Sequence, residues 1–395
     1  MKFFINSYFG DNQSIGLLSH IKKRLPYGMD DQWMVFSHYT ERGWTVDNLW
    51  HIFTDFYGGQ YAPLAFLSYL VLYAGFGYDP FYFHMFSLLL HIGCVCLVWK
   101  LISSLLRVHG GVSEKQILYV NFITTLLFAV HPINVEAVAW ISALKVLLYA
   151  FFYLLGLLCY LRYIRTSKIF YYVLTIGCFL CSFWGKEQAV TFPLALLIVD
   201  WFTNRNMKNL EVWSEKMSFL IMAFFFGIIT VLSQGKGPYE MIFPLYQRLL
   251  FGCFALVEYI TKSLLPVNLN FFYPFPIVLG EEPPLHYYLY PVVLLFLMGW
   301  IIAYRNNRYL VFGVLLFLVN LLFSIHLFNM SRHAIVADRY MYLSYVGIAF
   351  LIANGIWWLR KRLSYFKAAL VFLFFYCFFL SVYTFHYTKK WENTT

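Results

Sequence analysis

Four groups of ionisable residues interrupt a chain that is otherwise poor in charge. The first is Met29-Asp30-Asp31-Gln32-Trp33, followed by Tyr57-Gly58-Gly59-Gln60-Tyr61-Ala62-Pro63-Leu64. Adjacent carboxylates among aromatic residues suit a general base, because burial and mutual repulsion raise a carboxylate toward working pH. The same pair also reads as a solvated Asp-Asp turn. The second group is Val130-His131-Pro132-Ile133-Asn134-Val135-Glu136, with Trp140 and Lys145 beyond it. His131-Pro132 predicts a helix stop, and Glu136 with Trp140 shares one helical face at i, i+4. Such residues either shape a pocket or only satisfy backbone at a helix mouth.

The third group, Trp184-Gly185-Lys186-Glu187-Gln188, puts opposite charges between two apolar runs, where ionisable side chains are costly and tend to be functional or paired. Neighbours on a helix diverge, so a plain Lys186 to Glu187 contact is not expected. The fourth is Ser331-Arg332-His333 with Asp338-Arg339-Tyr340-Met341-Tyr342-Leu343. Guanidinium forks match phosphate bidentately, and they also anchor lipid headgroups. A metal centre is not expected. His84 and His91 lie seven residues apart, about 10.5 Å along a helix at ~1.5 Å per residue, too far to share one ion. Cys178 and Cys181 spell C-x-x-C but lie inside an apolar run without the context of a redox fold. No cofactor is called for, and the residue patterns leave a divalent metal open.

The elements that must position these groups follow from composition. Of 395 residues, 61% are hydrophobic, 22% aromatic and only 12% charged, a balance that belongs in lipid. Apolar runs near 81–106, 116–132, 143–161, 169–184, 188–203, 217–233, 287–304, 309–328, 341–359 and 367–388 predict about ten spanning helices. They are continuously apolar rather than alternating, which excludes a barrel. Two shorter or more charged stretches, 61–76 and 244–265, read as interfacial or re-entrant helices. The expected fold is therefore an all-α, polytopic membrane helical bundle. Its divisions are an outer N-terminal segment at 1–80, a transmembrane domain at 81–388 and an outer tail at 389–395. No cleavable signal peptide is expected, since 14–21 is too short an apolar stretch.

With that parity, the loops 107–115, 162–168, 204–216, 305–308 and 360–367 share one face. This face holds 15 Lys and Arg against 4 Asp and Glu, while the other holds 14 against 15. Short basic loops are cytoplasmic by the positive-inside rule. The net charge of +10 is thus a topology signal and not a nucleic-acid footprint. The four groups fall on the opposite, outer side, as do the acceptor triplets Asn12-Gln13-Ser14, Asn329-Met330-Ser331 and Asn393-Thr394-Thr395.

Six short motifs in order resemble the membrane part of the transmembrane and tetratricopeptide-repeat O-mannosyltransferases and their bacterial relatives, within the GT-C fold. They are Asp30-Asp31, Tyr61-Ala62-Pro63-Leu64, Phe128-Ala129-Val130-His131-Pro132 with Glu136-Ala137-Val138-Ala139, Lys186-Glu187-Gln188, Asn268-Leu269-Asn270-Phe271-Phe272-Tyr273-Pro274, and Asp338-Arg339-Tyr340-Met341-Tyr342-Leu343. The resemblance implies inverting transfer of a mannose-like hexose from a polyprenyl-phosphate donor to a hydroxyl of a protein, lipid or glycan. The reaction would take place on the periplasmic face of a bacterial inner membrane or the lumenal face of the ER. It implies Asp30 as base with Asp31 in support, and Arg339, Arg332 and Lys186 on the donor phosphate. His131, Glu136, Glu187, Asp338 and Tyr61 would shape the substrate pocket.

The chain departs from the family where Ala62 replaces an expected arginine. It also lacks a membrane helix in 1–29 and repeats after Trp391, so a chain clipped at both ends or a reduced homologue is expected. Two rival readings exist: a transporter or lipid flippase, which predicts inverted repeats and mid-membrane charge, and a non-catalytic membrane scaffold.

Overall fold

Continuously apolar runs can satisfy their own backbone only as helices in lipid, and the computed structural model, which describes residues 31–234, 243–327 and 334–391, is almost wholly α-helical. Four helices form a cap: α1 (Asp31–Met34), α2 (His38–Glu41), α3 (Val46–Thr54) and α4 (Pro63–Phe76). The bundle then begins with α5 (Pro80–His109), opened by Pro80 and by Asp79, which accepts from the Phe81 N–H at 3.1 Å. Next come α6 (Glu114–Val130), the short α7 (Val135–Ala139), α8 (Leu144–Thr166) and α9 (Ile169–Gly185). After α10 (Phe192–Phe202) and α11 (Leu210–Gln234), α12 (Leu245–Leu264) leads to α13 (Leu289–Ala303) and α14 (Arg308–Leu321). The helices α15 (Met341–Leu359) and α16 (Leu363–Thr388) complete the bundle. A small antiparallel pair, β1 (Tyr273–Pro274) and β2 (Ala334–Val336), sets Tyr273 opposite Val336.

Contacts at the helix ends show that α5, α10 and α15 run one way through the bundle and α6, α14 and α16 the other. At one end His109 bonds the Phe202 carbonyl at 2.7 Å, Arg308 donates to the Trp201 carbonyl at 3.3 Å, and Tyr119 packs on Trp357. At the other end Gln188 donates to Ser324 at 2.7 Å and Thr384 to the Val130 carbonyl at 2.8 Å. The basic loops therefore gather at the first end. Burial identifies the centre: the span Ile141–Thr166 is 78% buried, against 6% for Leu285–Ala303 and 11% for Leu363–Trp391. α14 and α15 approach through glycines, since a Cβ on Gly347 would fall 2.5 Å from the Gly313 carbonyl oxygen.

The expected count of about ten spanning helices is too high. Among the described residues six helices are long and apolar enough to cross a membrane, or seven if α6 and the segment Pro132–Ala139, bent by 51°, count as one. Each of the ten apolar runs does form a helix, but several are short. α9 has 17 residues and reaches about 25 Å at ~1.5 Å per residue, below the ~30 Å hydrocarbon core. α14 has 14 residues and α10 only 11, because the run behind α10 begins as the 3₁₀ turn Glu187–Thr191. The two stretches expected at the surface are α4 and α12, and neither is among the six. The chain is an integral membrane protein by these helices.

Candidate functional site

The cap is pinned by a close approach of backbone to ring. Gly58, at φ +59°, lies so near the Trp33 indole that a Cβ there would come within 2.5 Å of it. This seats α1 on the turn in which Tyr57 and Gln60 pair. Asp31, buried at the start of α1, accepts through Oδ1 from the Ser142 N–H at 2.9 Å and from the Ser142 hydroxyl. Lys145, at the first turn of α8, donates to Gln60 Oε1 and lies 3.7 Å from Met34 Sδ. The cap is thus joined to the mouth of the central helix by polar contacts on both sides of that mouth.

Glu136 and Arg339 form the next unit. The Glu136 carboxylate, 1% exposed, pairs with the Arg339 guanidinium and accepts from the Arg339 backbone N–H at 2.7 Å. The guanidinium lies 5.1 Å from the ring centres of both Trp140 and Tyr340. The i, i+4 face of Glu136 and Trp140 therefore meets Arg339 as one surface. On Tyr340 also rests Lys186, whose ammonium is 4.9 Å from the ring centre. Lys186 is extended, at φ −160°, between α9 and the 3₁₀ turn, outside the six spanning helices.

Lys186 is 3% exposed, and among the described residues its ammonium has neither hydrogen bond nor salt bridge. Burial pushes it down to about 8; Glu187 and Tyr340 oppose the shift, while the charges of Lys145 and Arg339 add to it. Two further cations thus lie within electrostatic reach of Lys186 at this end of the bundle.

A third unit lies beside these. Asp338, fully buried, accepts from the Tyr273 hydroxyl at 3.1 Å to each carboxylate oxygen, and Lys262 of α12 stands 3.6 Å from Asp338 Oδ1. Lys262 donates to the Tyr273 hydroxyl at 2.6 Å. The β1–β2 pairing places Tyr273 for this contact, and burial beside Asp338 raises its phenol far above the ordinary range. Among the described residues no three His, Cys, Asp or Glu side chains cluster as a metal site would need.

Comparison with characterised proteins gives the same direction as these motifs. Over 189 residues the chain is 32% identical to protein O-mannosyl-transferase TMTC2 of Mus musculus, covering 44% of this chain and 21% of that protein. Similarity to the Homo sapiens TMTC2 is 33% over the same length, and to Drosophila melanogaster Tmtc3 it is 28% over 172 residues, 39% of this chain and 18% of that one. The chain resembles the protein O-mannosyl-transferases. It spans about a fifth of the length of these relatives. No family model and no solved structure matches it.

Of the residues the sequence singled out, Asp30 and Arg332 lie outside the described residues. The structure brings Glu136, Arg339 and Lys186 together and sets Asp31 at the neighbouring mouth of α8. Asp338 follows Arg339's backbone into the Tyr273 unit. Tyr61 donates to the Phe53 carbonyl at 2.9 Å and packs near Phe183, with burial raising its phenol. His131 caps the turn Pro132–Asn134 through the Ile133 N–H at 3.2 Å and packs on Tyr345 at 4.2 Å, a local structural task. Glu187 begins its 3₁₀ turn and is half-buried.

Ser142 and Lys262 were missed, while Lys145 and Tyr273 were named within motifs but given no role. The latter two carried a signal. Lys145 is a lone cation opening an apolar run, and Tyr273 sits inside Asn270-Phe271-Phe272-Tyr273-Pro274.

Proposed function

We propose that this chain transfers a mannose-like hexose from a polyprenyl-phosphate donor to an acceptor hydroxyl, at the bundle end that carries Lys186. One observation carries the reading: a buried ammonium that makes no salt bridge among the described residues, with one acid, Glu187, and two further cations, Lys145 and Arg339, in electrostatic reach. Three cations against a single acid, with no salt bridge to the buried ammonium, are costly, and an incoming phosphate supplies the missing charge. The departing lipid phosphate gains negative charge in the transition state, where a fixed, water-excluded cation counts most. Arg339 is committed to Glu136, so it holds Tyr340 and the pocket wall while Lys186 meets the phosphate. Asp30 is the proposed base for the acceptor hydroxyl, and Asp31 fixes its segment on Ser142.

The relatives, protein O-mannosyl-transferases by name, favour a protein hydroxyl as acceptor. Basic loops at the opposite end favour a multi-pass arrangement with this site periplasmic or lumenal. The test is transfer of labelled mannose from a polyprenyl-phosphate donor to a Ser/Thr peptide by the purified chain in lipid nanodiscs. Transfer by wild type, lost in Asp30→Asn and Lys186→Met, is the expected result. Donor binding by Lys186→Met equal to wild type would overturn the assignment of the phosphate.

A further inference from the structure

A cavity of about 850 Å³ lies away from the site, between α12, α13, α14 and α15. Its size falls in the upper part of the ~300–1,000 Å³ range of ligand pockets. The walls are apolar, with Leu256, Leu297, Val314 and Leu351 facing it. They offer an occupant dispersion contacts and little hydrogen bonding, which suits hydrocarbon chains. Gly355 lines it too, and a Cβ there would meet nothing within 4 Å.

One rim is different in kind. Arg360 and Lys361 close the cavity where α15 turns into α16, and the Arg360 guanidinium stacks over Trp357 at 4.4 Å. Among the described residues neither cation has an acidic partner. A guanidinium fork held on an aromatic face suits a phosphate, and Trp and Tyr at this level are the side chains that favour a headgroup region. The rim belongs to the end opposite Lys186. Arg360 follows Arg339 by 21 residues, about 30 Å along α15 at ~1.5 Å per residue. A donor with its phosphate at Lys186 cannot also place it at Arg360.

We infer that this cavity binds an anionic phospholipid, its phosphate on Arg360 and Lys361 and its acyl chains against α13, α14 and α15. The lipid fills the gap that otherwise separates the little-buried α13 from α14 and α15.

The test uses the full chain in nanodiscs of equal phosphatidylglycerol and phosphatidylcholine, released into detergent and weighed by native mass spectrometry. Wild type is expected to keep one phosphatidylglycerol in preference to phosphatidylcholine by roughly 30-fold, from two basic residues near an anionic headgroup. Arg360→Gln with Lys361→Gln should keep a lipid but lose the preference. Gly355→Leu should expel it, and because leucine favours helix over glycine, that loss is not unfolding. Retention of no lipid, equal retention of both lipids, or an unchanged preference in the double variant overturns the inference. So does stoichiometric displacement by polyprenyl phosphate, which would make the cavity part of the donor site.

Discussion

Along α8, Lys145 and Tyr160 lie fifteen residues apart, about 22 Å at ~1.5 Å per residue, and they belong to buried polar clusters of opposite design. Around Tyr160 every charge is answered. Its hydroxyl donates to Asp200 at 2.8 and 2.9 Å, Lys216 pairs with both Asp200 and Glu215, and Arg205 grips Glu215 at 2.6 and 2.9 Å. Two acids meet two bases, and α8, α10 and α11 are clasped at the basic end of the bundle. Around Lys186 the account does not close: Arg339 is answered by Glu136, while Lys186 makes no salt bridge among the described residues, rests on the face of Tyr340 and has Glu187 in electrostatic reach against Lys145 and Arg339. A balanced cluster is finished within the chain. An unbalanced one leaves room for a charge from outside, and that contrast is why the Lys186 end is the proposed site.

The largest effect tests the balanced side. Asp200→Asn strips Lys216 of one partner in a fully buried position and should cost about 3–5 kcal/mol, read as a lower Tm of the detergent-purified chain. Adding Lys216→Met should recover much of the loss, because the orphaned charge leaves with it. An unchanged Tm in Asp200→Asn would mean that the cluster is not buried as a unit, and the comparison would collapse. On the other side Lys186→Met should leave Tm equal or higher, while transfer from the donor falls by about 10²–10³-fold, the usual cost of one electrostatic contact to developing charge. A parallel fall in Tm would make Lys186 a structural residue. Smaller still is Glu136→Gln, which keeps volume but weakens a charged hydrogen bond by roughly 1.5–3 kcal/mol. It should raise the KM for the donor as Arg339 and Tyr340 loosen, and an unmoved KM would detach that pair from the site.

Composition was enough to read the helical bundle, because long apolar runs have one backbone solution in lipid. The number of crossings was not legible. The run 188–203 looks like a span, yet its first turn is 3₁₀ and α10 keeps 11 residues; hydropathy averages over such a break. Glu136 with Trp140 was readable from spacing, since Glu136 lies in the short α7 and Trp140 caps its end, its N–H on the Glu136 carbonyl. The Lys262–Tyr273–Asp338 unit was not, because 65 residues separate Tyr273 from Asp338 and only the β1–β2 pairing joins them. Likewise Asp200 and Lys216 counted only as charges of the basic face in sequence, and their pairing appears once α10 and α11 are side by side. The balance of a cluster is a three-dimensional property, so the distinction between clasp and site could not be drawn earlier.

The mildest perturbation, pH, separates the two roles most cleanly. Burial, opposed by Glu187 and Tyr340 and aided by Lys145 and Arg339, holds Lys186 at about 8 instead of 10.5. On the proposed reading the protonated form holds the phosphate, so donor affinity should be full near pH 7 and fall as pH passes 8, by about tenfold at pH 9 for a loss of one proton. Stability moves the other way. The unfolded chain holds this proton up to its ordinary value of 10.5 while the folded chain releases it near 8, so raising pH through that window favours the fold. Loss of donor binding with a steady or rising Tm between pH 7.5 and 9 would therefore belong to Lys186 and not to unfolding. Lys186→Arg, which keeps its charge throughout, should bind donor with a flat pH profile over the same window. A wild-type profile equally flat would remove Lys186 from the phosphate and leave the two clusters alike.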